Sequence, residues 1–313
     1  MTSLPIRVAA LLTGGCLATA LFAGCSSAES TTDDDCLKST SSALKTCAGP
    51  TTLKGIDVSY YQGNVAWASV KASGRSFAFA RVSDGVNTVD TKFAQNWPAM
   101  KAAGITRGVY QFFRPSQDAS AQAQLVIDRL AANGGLLPGD LPPVLDLESA
   151  DGLAAATVVA RAKTWLAKIE AKFGVKPIIY TAAFMTPVIG NNFSSYPLWV
   201  ANYQTTCPTM PGAWTKWQFW QNADNGSVPG VSGNVDTNLF DGAASQLAAL
   251  TLKPAASDAG ADSGPSPSIV PEGVDLDLEP GGDTPNDGSQ GSTIGSGDRP
   301  PAETNAGVVT PCR

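Results

Sequence analysis

The chain has 313 residues, of which 43 % are hydrophobic, enough for one large folded domain with extensions. Its net charge is −6, and from Pro254 onward it carries ten Asp or Glu against two Arg, without any Lys/Arg-rich block that would indicate nucleic-acid binding. The chain contains no His. This excludes Ser-His-Asp and Cys-His nucleophiles and imidazole zinc sites, and leaves Asp and Glu as the leading candidates for proton chemistry.

Residues 1–25 have the pattern of a signal peptide: Arg7, a mostly apolar stretch from Val8 to Phe22, then small residues. The stretch is short and Gly-interrupted for a transmembrane helix. The run LFAGC ending at Cys25 resembles a bacterial lipoprotein processing site, which predicts lipidation of Cys25 and attachment to a membrane of the cell envelope. The alternative is ordinary cleavage nearby and secretion. Both predict export.

Residues 26–52 are rich in Ser, Thr and Asp, which predicts a flexible tether. The six cysteines include no CxxC pair, so no cysteine metal site is predicted, and we expect neither metal nor cofactor. Their spread fits an exported protein with one or two disulfides. The sequence leaves the pairing open, since three full connectivities are available to Cys36, Cys47, Cys207 and Cys312.

Residues 53–250 alternate apolar β-type runs with helical patterns, which predicts an α/β domain with a parallel sheet or barrel. Because few helices separate the later strands, we expect an irregular, incomplete TIM-like (β/α) barrel. The predicted strands are Gly55–Ser59, Ser76–Val82, Thr106–Phe112, Pro143–Leu147, Pro177–Thr181, Pro197–Ala201, Trp214–Trp220 and Asn234–Leu239. The predicted helices are Ala66–Ala72, Thr91–Ala103, Ser120–Ala132, Leu153–Phe173 and a short segment around Ala182–Ile189.

Residues 251–313 are rich in Pro, Gly, Ser and Asp and poor in apolar residues. That composition cannot bury a core, so we predict a disordered acidic tail.

The run PPVLDLE places two carboxylates, Asp146 and Glu148, at the end of a short apolar strand. Residues i and i+2 of a strand point to the same face, so both acids are expected to project together. Two close carboxylates repel, which raises the pKa of one of them and suits a general acid. The alternative is a strand end whose acids cap the next helix or pair with Arg or Lys.

Other strand ends carry acids and aromatic residues as well. Since functional groups of barrels gather at the carboxyl ends of strands, we predict one site there. Aromatic rings stack on the apolar faces of sugars and carboxylates bind their hydroxyls, so the site is typical of carbohydrate binding. Its predicted acids are Asp57, Asp146, Glu148 and Asp236, and its predicted substrate-binding residues are Tyr110, Gln111, Tyr180, Tyr203, Trp217 and Gln218.

Nine segments together resemble glycoside hydrolase family 25, the muramidase or lysozyme family. In order along the chain they are GIDVSYYQG, FAFARVSDG, DTKFAQNW, AAGITRGVYQFF, LPPVLDLE, KPIIYT, PLWVANY, WTKWQFWQ and VPGVSGNVDTNLF. The resemblance covers about residues 55–240. It implies an incomplete α/β barrel that hydrolyses the β-1,4 bond between N-acetylmuramic acid and N-acetylglucosamine in peptidoglycan, by a retaining mechanism. The sequence leaves open whether an aspartate or the substrate's own N-acetyl oxygen attacks the anomeric carbon. The implied partner is the peptidoglycan glycan strand, and we expect a monomer.

The resemblance also implies roles for the four acids. Glu148 corresponds to the general acid and Asp146 to its companion carboxylate. Asp57 and Asp236 correspond to the aspartates of the first and closing strand motifs. One departure from the family is Gln111, which stands where many members have His; it retains hydrogen bonding and loses the titratable ring.

Two other functions compete with an exported muramidase. One is an envelope lipoprotein of the same fold that binds glycans without cutting them, although binding alone does not require a tuned acid pair. The other is a barrel chitinase, but Pro142 to Leu145 lack the longer acidic pattern of that class.

Overall fold

The computed structural model describes residues 43–254. The predicted signal peptide with Cys25, residues 26–42 of the predicted tether and the tail from residue 255 lie outside the described residues. Within residues 43–254, no helix is long and apolar enough to cross a membrane.

Eight of the nine strands in residues 43–254 close into a barrel, and seven of these run parallel to one another. Strand β9 closes the barrel antiparallel to both β1 and β8, and β3 pairs only with β2 at its edge. The fold prediction of an α/β barrel is confirmed. The strands are β1 Thr52–Val58, β2 Arg75–Asp84, β3 Thr88–Val89, β4 Thr106–Phe112, β5 Val144–Asp146, β6 Ile178–Ala182, β7 Leu198–Ala201, β8 Phe219–Gly226 and β9 Val235–Asp241.

The helices surround only part of this barrel, because none lies between β7 and β8 or between β8 and β9. The incomplete helical layer agrees with the sparse helical signal late in the sequence. The helices are α1 Trp67–Ala72, α2 Phe93–Ala102, α3 Ala119–Ala131, α4 Ala155–Phe173, α5 Thr186–Ile189 and α6 Ala244–Leu250, with 3₁₀ turns at Tyr60–Gln62 and Ala183–Met185.

Strand alternation divides the apolar residues into two cores. One side of β2 turns Phe77 and Phe79 into the barrel, where they meet rings from other strands such as Phe219. The other side packs against the helices. Gly108 makes room for the inner rings, since a Cβ there would lie 2.4 Å from the Phe79 ring. The interior is therefore filled with side chains toward the amino ends of the strands, and the site must lie above them.

The strand predicted at Trp214–Trp220 is wrong in its start and its end. Strand β8 begins at Phe219, and Trp214 and Trp217 belong to the preceding loop, where their indole N–H groups donate to Tyr196 O and Thr46 O. The tryptophans supply the apolar pattern, whereas the true strand continues through polar residues to Gly226. Strand β3 and helix α6 were not predicted at all.

Residues 44–49, the N-terminal strap, lie against the loop between β7 and β8. Thr46 N donates to Pro208 O at 3.1 Å, Met210 N donates to Leu44 O at 2.7 Å, and Cys47 forms a disulfide with Cys207. The last part of the predicted tether is thus bonded to the folded domain, and β1 already begins at Thr52. The disulfide is one of the pairings that the sequence leaves open.

Candidate active site

The four predicted acids meet at one end of the barrel. Asp57 lies near the end of β1, Asp146 ends β5, and Glu148 follows two residues later. Asp236 is the second residue of β9, whose amino end reaches the same rim because β9 runs antiparallel, directly opposite Asp57 in register. Asp57, Asp146 and Asp236 are buried, whereas Glu148 is half-buried. Glu148 is therefore the member of the set most open to a bound molecule.

Asp146 lies in surroundings that disfavour its charged form. Burial raises its pKa well above the usual value, and the negative charges of Glu148 and Asp57 raise it further. Its Oδ1 atom is buried without a hydrogen-bond partner in the part of the chain that the structure describes. The expectation that two neighbouring carboxylates would shift one pKa upward is thus met on Asp146. The Asp146 carboxyl therefore keeps its proton to a higher pH than an ordinary aspartate does.

Asp57 is held by two side-chain amides. Gln221 Nε2 donates to its Oδ2 at 2.9 Å, and Asn238 Nδ2 donates to the same oxygen at 2.8 Å. Trp199 Nε1 donates to Asn238 Oδ1 at 2.8 Å, which fixes the orientation of that amide. The Asp57 carboxylate is therefore fixed in place by side chains of β8 and β9.

Three tyrosines and a tryptophan surround the acids. The Tyr180 and Tyr203 hydroxyls both donate to Gln221 Oε1. The Trp199 ring lies 4.7 Å from Tyr180 and 6.1 Å from Tyr110 between ring centroids. Burial raises the pKa of each of the three phenols, so all three keep their protons. The site thus combines acids with phenols that act as neutral hydrogen-bonding groups.

Arg81 is a cation beside these acids. Its Nε donates to Asp90 Oδ2 at 3.1 Å, and its guanidinium lies 4.9 Å from the Tyr60 ring centroid. Its positive charge opposes the upward shift of the Asp146 pKa. It therefore offsets part of the negative charge that the four acids bring together.

The structure does not bring three predicted binding residues to the acids. Gln111 is fully buried on the outer face of the sheet, where it donates to Ser83 Oγ and accepts from Trp165 Nε1 on α4. Gln218 lies at the amino end of β7, where its Oε1 accepts from Leu198 N. Trp217 precedes it, buried beside the N-terminal strap. These assignments are corrected here: Gln111 faces a helix, and the other two precede β8 at the opposite end of the barrel.

Gln221 and Asn238 are two residues of the site that the sequence patterns did not reveal. Both follow from strand alternation once the strands are correctly placed: Gln221 is two residues after the inward ring of Phe219, and Asn238 is two residues after Asp236. Because the start of β8 was predicted too early, Gln218 was predicted as the site residue in place of Gln221.

The arrangement suits proton transfer by carboxyl groups in a partly dry environment. When two carboxyl groups have different surroundings, one can act as the general acid while the other orients the substrate. Among residues 43–254, no group of three or more Cys, Asp or Glu is arranged to hold a metal ion.

Comparison with known proteins agrees with this geometry. Residues 56–231 match the family model described as "Glycosyl hydrolases family 25". The chain is 38% identical over 205 residues to the uncharacterized protein YegX of Escherichia coli K12, covering 64% of this chain and 73% of that protein. It is 36% identical over 212 residues to lysozyme M1 of Streptomyces globisporus, covering 63% and 71% of the two chains.

A solved structure shows the same fold. The bacterial lysozyme from Streptomyces coelicolor superposes with a TM-score of 0.60 at 36% sequence identity. The match covers 65% of this chain and 98% of that lysozyme. The barrel described above is thus similar to nearly the whole of that protein.

Proposed function

Because the chain belongs to glycosyl hydrolase family 25 and is a glycoside hydrolase of the muramidase type, we propose that it hydrolyses the β-1,4 bond between N-acetylmuramic acid and N-acetylglucosamine in peptidoglycan. The observation that carries the proposal is the meeting of Asp57, Asp146, Glu148 and Asp236 at one end of the barrel. A chain that only bound glycans would not need this concentration of buried acids.

In the proposed mechanism Glu148 is the general acid. It donates a proton to the glycosidic oxygen as the bond from that oxygen to the anomeric carbon breaks. As that bond breaks, an aspartate carboxylate or the substrate's own acetamido oxygen bonds to the anomeric carbon. In the second step Glu148 takes a proton from water, whose oxygen bonds to the anomeric carbon as the bond to that nucleophile breaks. Its partial exposure supports this role, because the proton donor must touch the leaving oxygen. The fully buried Asp146 has less access to that atom.

We assign Asp146 to orientation of the substrate's acetamido group. The raised pKa of Asp146 keeps its carboxyl protonated over a wider pH range, and a protonated carboxyl can donate a hydrogen bond to an amide oxygen. Its Oδ1 atom is buried and has no hydrogen-bond partner in the described part of the chain. Asp57 and Asp236 would hold the sugar ring, and Tyr110, Tyr180 and Tyr203 would line the site.

Replacing Glu148→Gln tests the acid assignment. The change removes the transferable proton and almost no volume, so we expect kcat on purified peptidoglycan to fall by about 10²–10⁴-fold without loss of folding. Glu170→Gln on α4 is the matched control and should keep normal turnover. Turnover near normal in Glu148→Gln would refute the assignment.

We also propose that the protein is exported and anchored to a membrane of the envelope through lipid on Cys25. The support is the leader-like composition of residues 1–25 and the LFAGC run. An envelope location places the enzyme next to its substrate.

A further inference from the structure

We propose that Gln221 is a positioning residue of the muramidase site. Its amide N–H group holds the Asp57 carboxylate in place, and its amide oxygen accepts the hydroxyl protons of Tyr180 and Tyr203 and so orients both hydroxyls. The inference rests on the proposed function, because it assigns Gln221 to that same site. Gln221 is buried on β8, at 3 % exposure, and both ends of its amide are used.

The orientation of the two amides around Asp57 is determined by their partners. The Trp199 indole can only donate, so it must face the oxygen of Asn238, which leaves the Asn238 NH₂ facing Asp57. The Gln221 NH₂ faces Asp57 in the same way, since an amide oxygen there would oppose a carboxylate oxygen. One oxygen of Asp57 therefore receives two N–H donors.

The oxygen of the Gln221 amide then receives two phenol protons. Tyr180 donates to it from β6 at 2.8 Å, and Tyr203 donates from the residue pair that follows β7. Because each hydroxyl has a single proton, both phenol oxygens are left with lone pairs only. Toward a substrate they act as acceptors, which suits the hydroxyl and acetamido N–H groups of an amino sugar.

Gln221 thus joins three strands of the barrel and the segment after a fourth through a single side chain. It links an acid on β1 to phenols of β6 and of the segment after β7, while being attached to β8 itself. A residue that served only to fill space would not require an amide at this position. We therefore expect the chemistry of the Gln221 side chain, and not its volume, to matter for turnover.

The test is Gln221→Glu, which keeps the shape and replaces the N–H donor by an ionisable oxygen. Asn222→Asp is the matched control, because it adds the same charge one residue later and keeps the acceptor for Thr237 Oγ1. Both variants and the wild type are assayed on purified peptidoglycan from pH 4 to 8. The readout is kcat/KM of each variant divided by that of the wild type at the same pH.

We expect the Gln221→Glu ratio to be about 0.1 to 0.01 at pH 7, the loss of a hydrogen bond to a charged group. The ratio should recover as the pH falls, because a protonated carboxyl donates to Asp57 again. The introduced carboxyl would face Asp57 and the two neutral phenols, and the charges of Asp146, Glu148 and Asp236 act on those same phenols. The like charges raise its pKa, so recovery should begin above the ordinary range of Glu. The Asn222→Asp ratio should stay near 1.

A Gln221→Glu ratio that stays near 1, or that is low and independent of pH, would overturn the proposal. If that variant does not fold, Gln221→Met and Tyr203→Phe are combined instead. Tyr203→Phe should then cost less in the Met background than in the wild type, whereas equal costs would overturn the proposal. Absence of wild-type activity would refute the muramidase function itself, so the two failures are distinguishable.

Discussion

Asp146 illustrates how one position in the barrel changes the chemistry of a carboxyl group. It ends the short, fully buried strand β5, two residues before Glu148 and within the electrostatic reach of Asp57. Burial is the largest cause of its raised pKa, ahead of either neighbouring charge. An ionised carboxyl at this position lowers the stability of the folded protein. Such a residue is expected where function requires it in spite of that cost.

Asp146→Asn should therefore be more stable than the wild type, by a difference that grows as the pH rises. A carboxyl with a raised folded-state pKa contributes stability below its unfolded pKa and loses it as the pH rises through the folded pKa. Asn cannot ionise, so we expect its melting temperature to exceed that of the wild type by about 2–4 °C or more at pH 8. The difference should shrink toward pH 4, and turnover should fall severely at every pH.

Thermal unfolding followed by circular dichroism between pH 4 and 8 measures this effect. Asp128→Asn, the same substitution at an exposed aspartate of α3 outside the site, is the control. A melting temperature of Asp146→Asn at or below that of the wild type at pH 8 would contradict the described surroundings of Asp146.

At the residue scale, the sequence was sufficient to find the acids but not the groups that hold them. Asp146 ends β5 and Glu148 follows two residues later, and strand spacing predicts that both acids point to one face. Gln221 and Gln218 are both glutamines that follow aromatic residues, and only the true start of β8 decides which of them points inward. If the start of the strand is predicted wrongly, the wrong glutamine is predicted to point into the site.

At the scale of elements, the parallel strands were predictable because each is an apolar run with turn residues on both sides. Strand β8 was placed wrongly because its second half is polar and a tryptophan-rich loop precedes it. Strand β3 has only two residues, and the short helix α6 has only Leu247 fully buried, so each gives little periodicity. These elements depend on tertiary contacts that local patterns do not contain.

The N-terminal strap and the loop between β7 and β8 stabilise each other, and the Cys47–Cys207 disulfide joins them across a sequence separation of 160. Replacing both cysteines by Ala should lower the free energy of unfolding by about 2–5 kcal/mol. Denaturant unfolding of the wild type and the double variant, with and without reductant, measures the loss. Reductant should weaken the wild type and leave the variant unchanged. Equal stability of the two oxidised proteins would show that the bond contributes nothing.

At the scale of the whole molecule, the described barrel accounts for catalysis, whereas the predicted export signal and acidic tail lie outside it. The composition of residues 1–25 still predicts attachment to a membrane, which can be tested. Cys25→Ser should move the protein from the membrane fraction to the soluble fraction of the producing cells, because the residue that we propose to carry the lipid is lost. Detection of both forms by immunoblot after ultracentrifugation measures this. Unchanged fractionation of the variant would contradict lipid anchoring at Cys25.

The central claim is that this barrel cuts peptidoglycan on the reducing side of muramic acid. The most direct test is to digest purified peptidoglycan with residues 43–254, reduce the products with borohydride and identify their ends by mass spectrometry. We expect soluble fragments ending in reduced muramic acid. Fragments ending in reduced glucosamine, or binding to the wall without release of fragments, would contradict the claim.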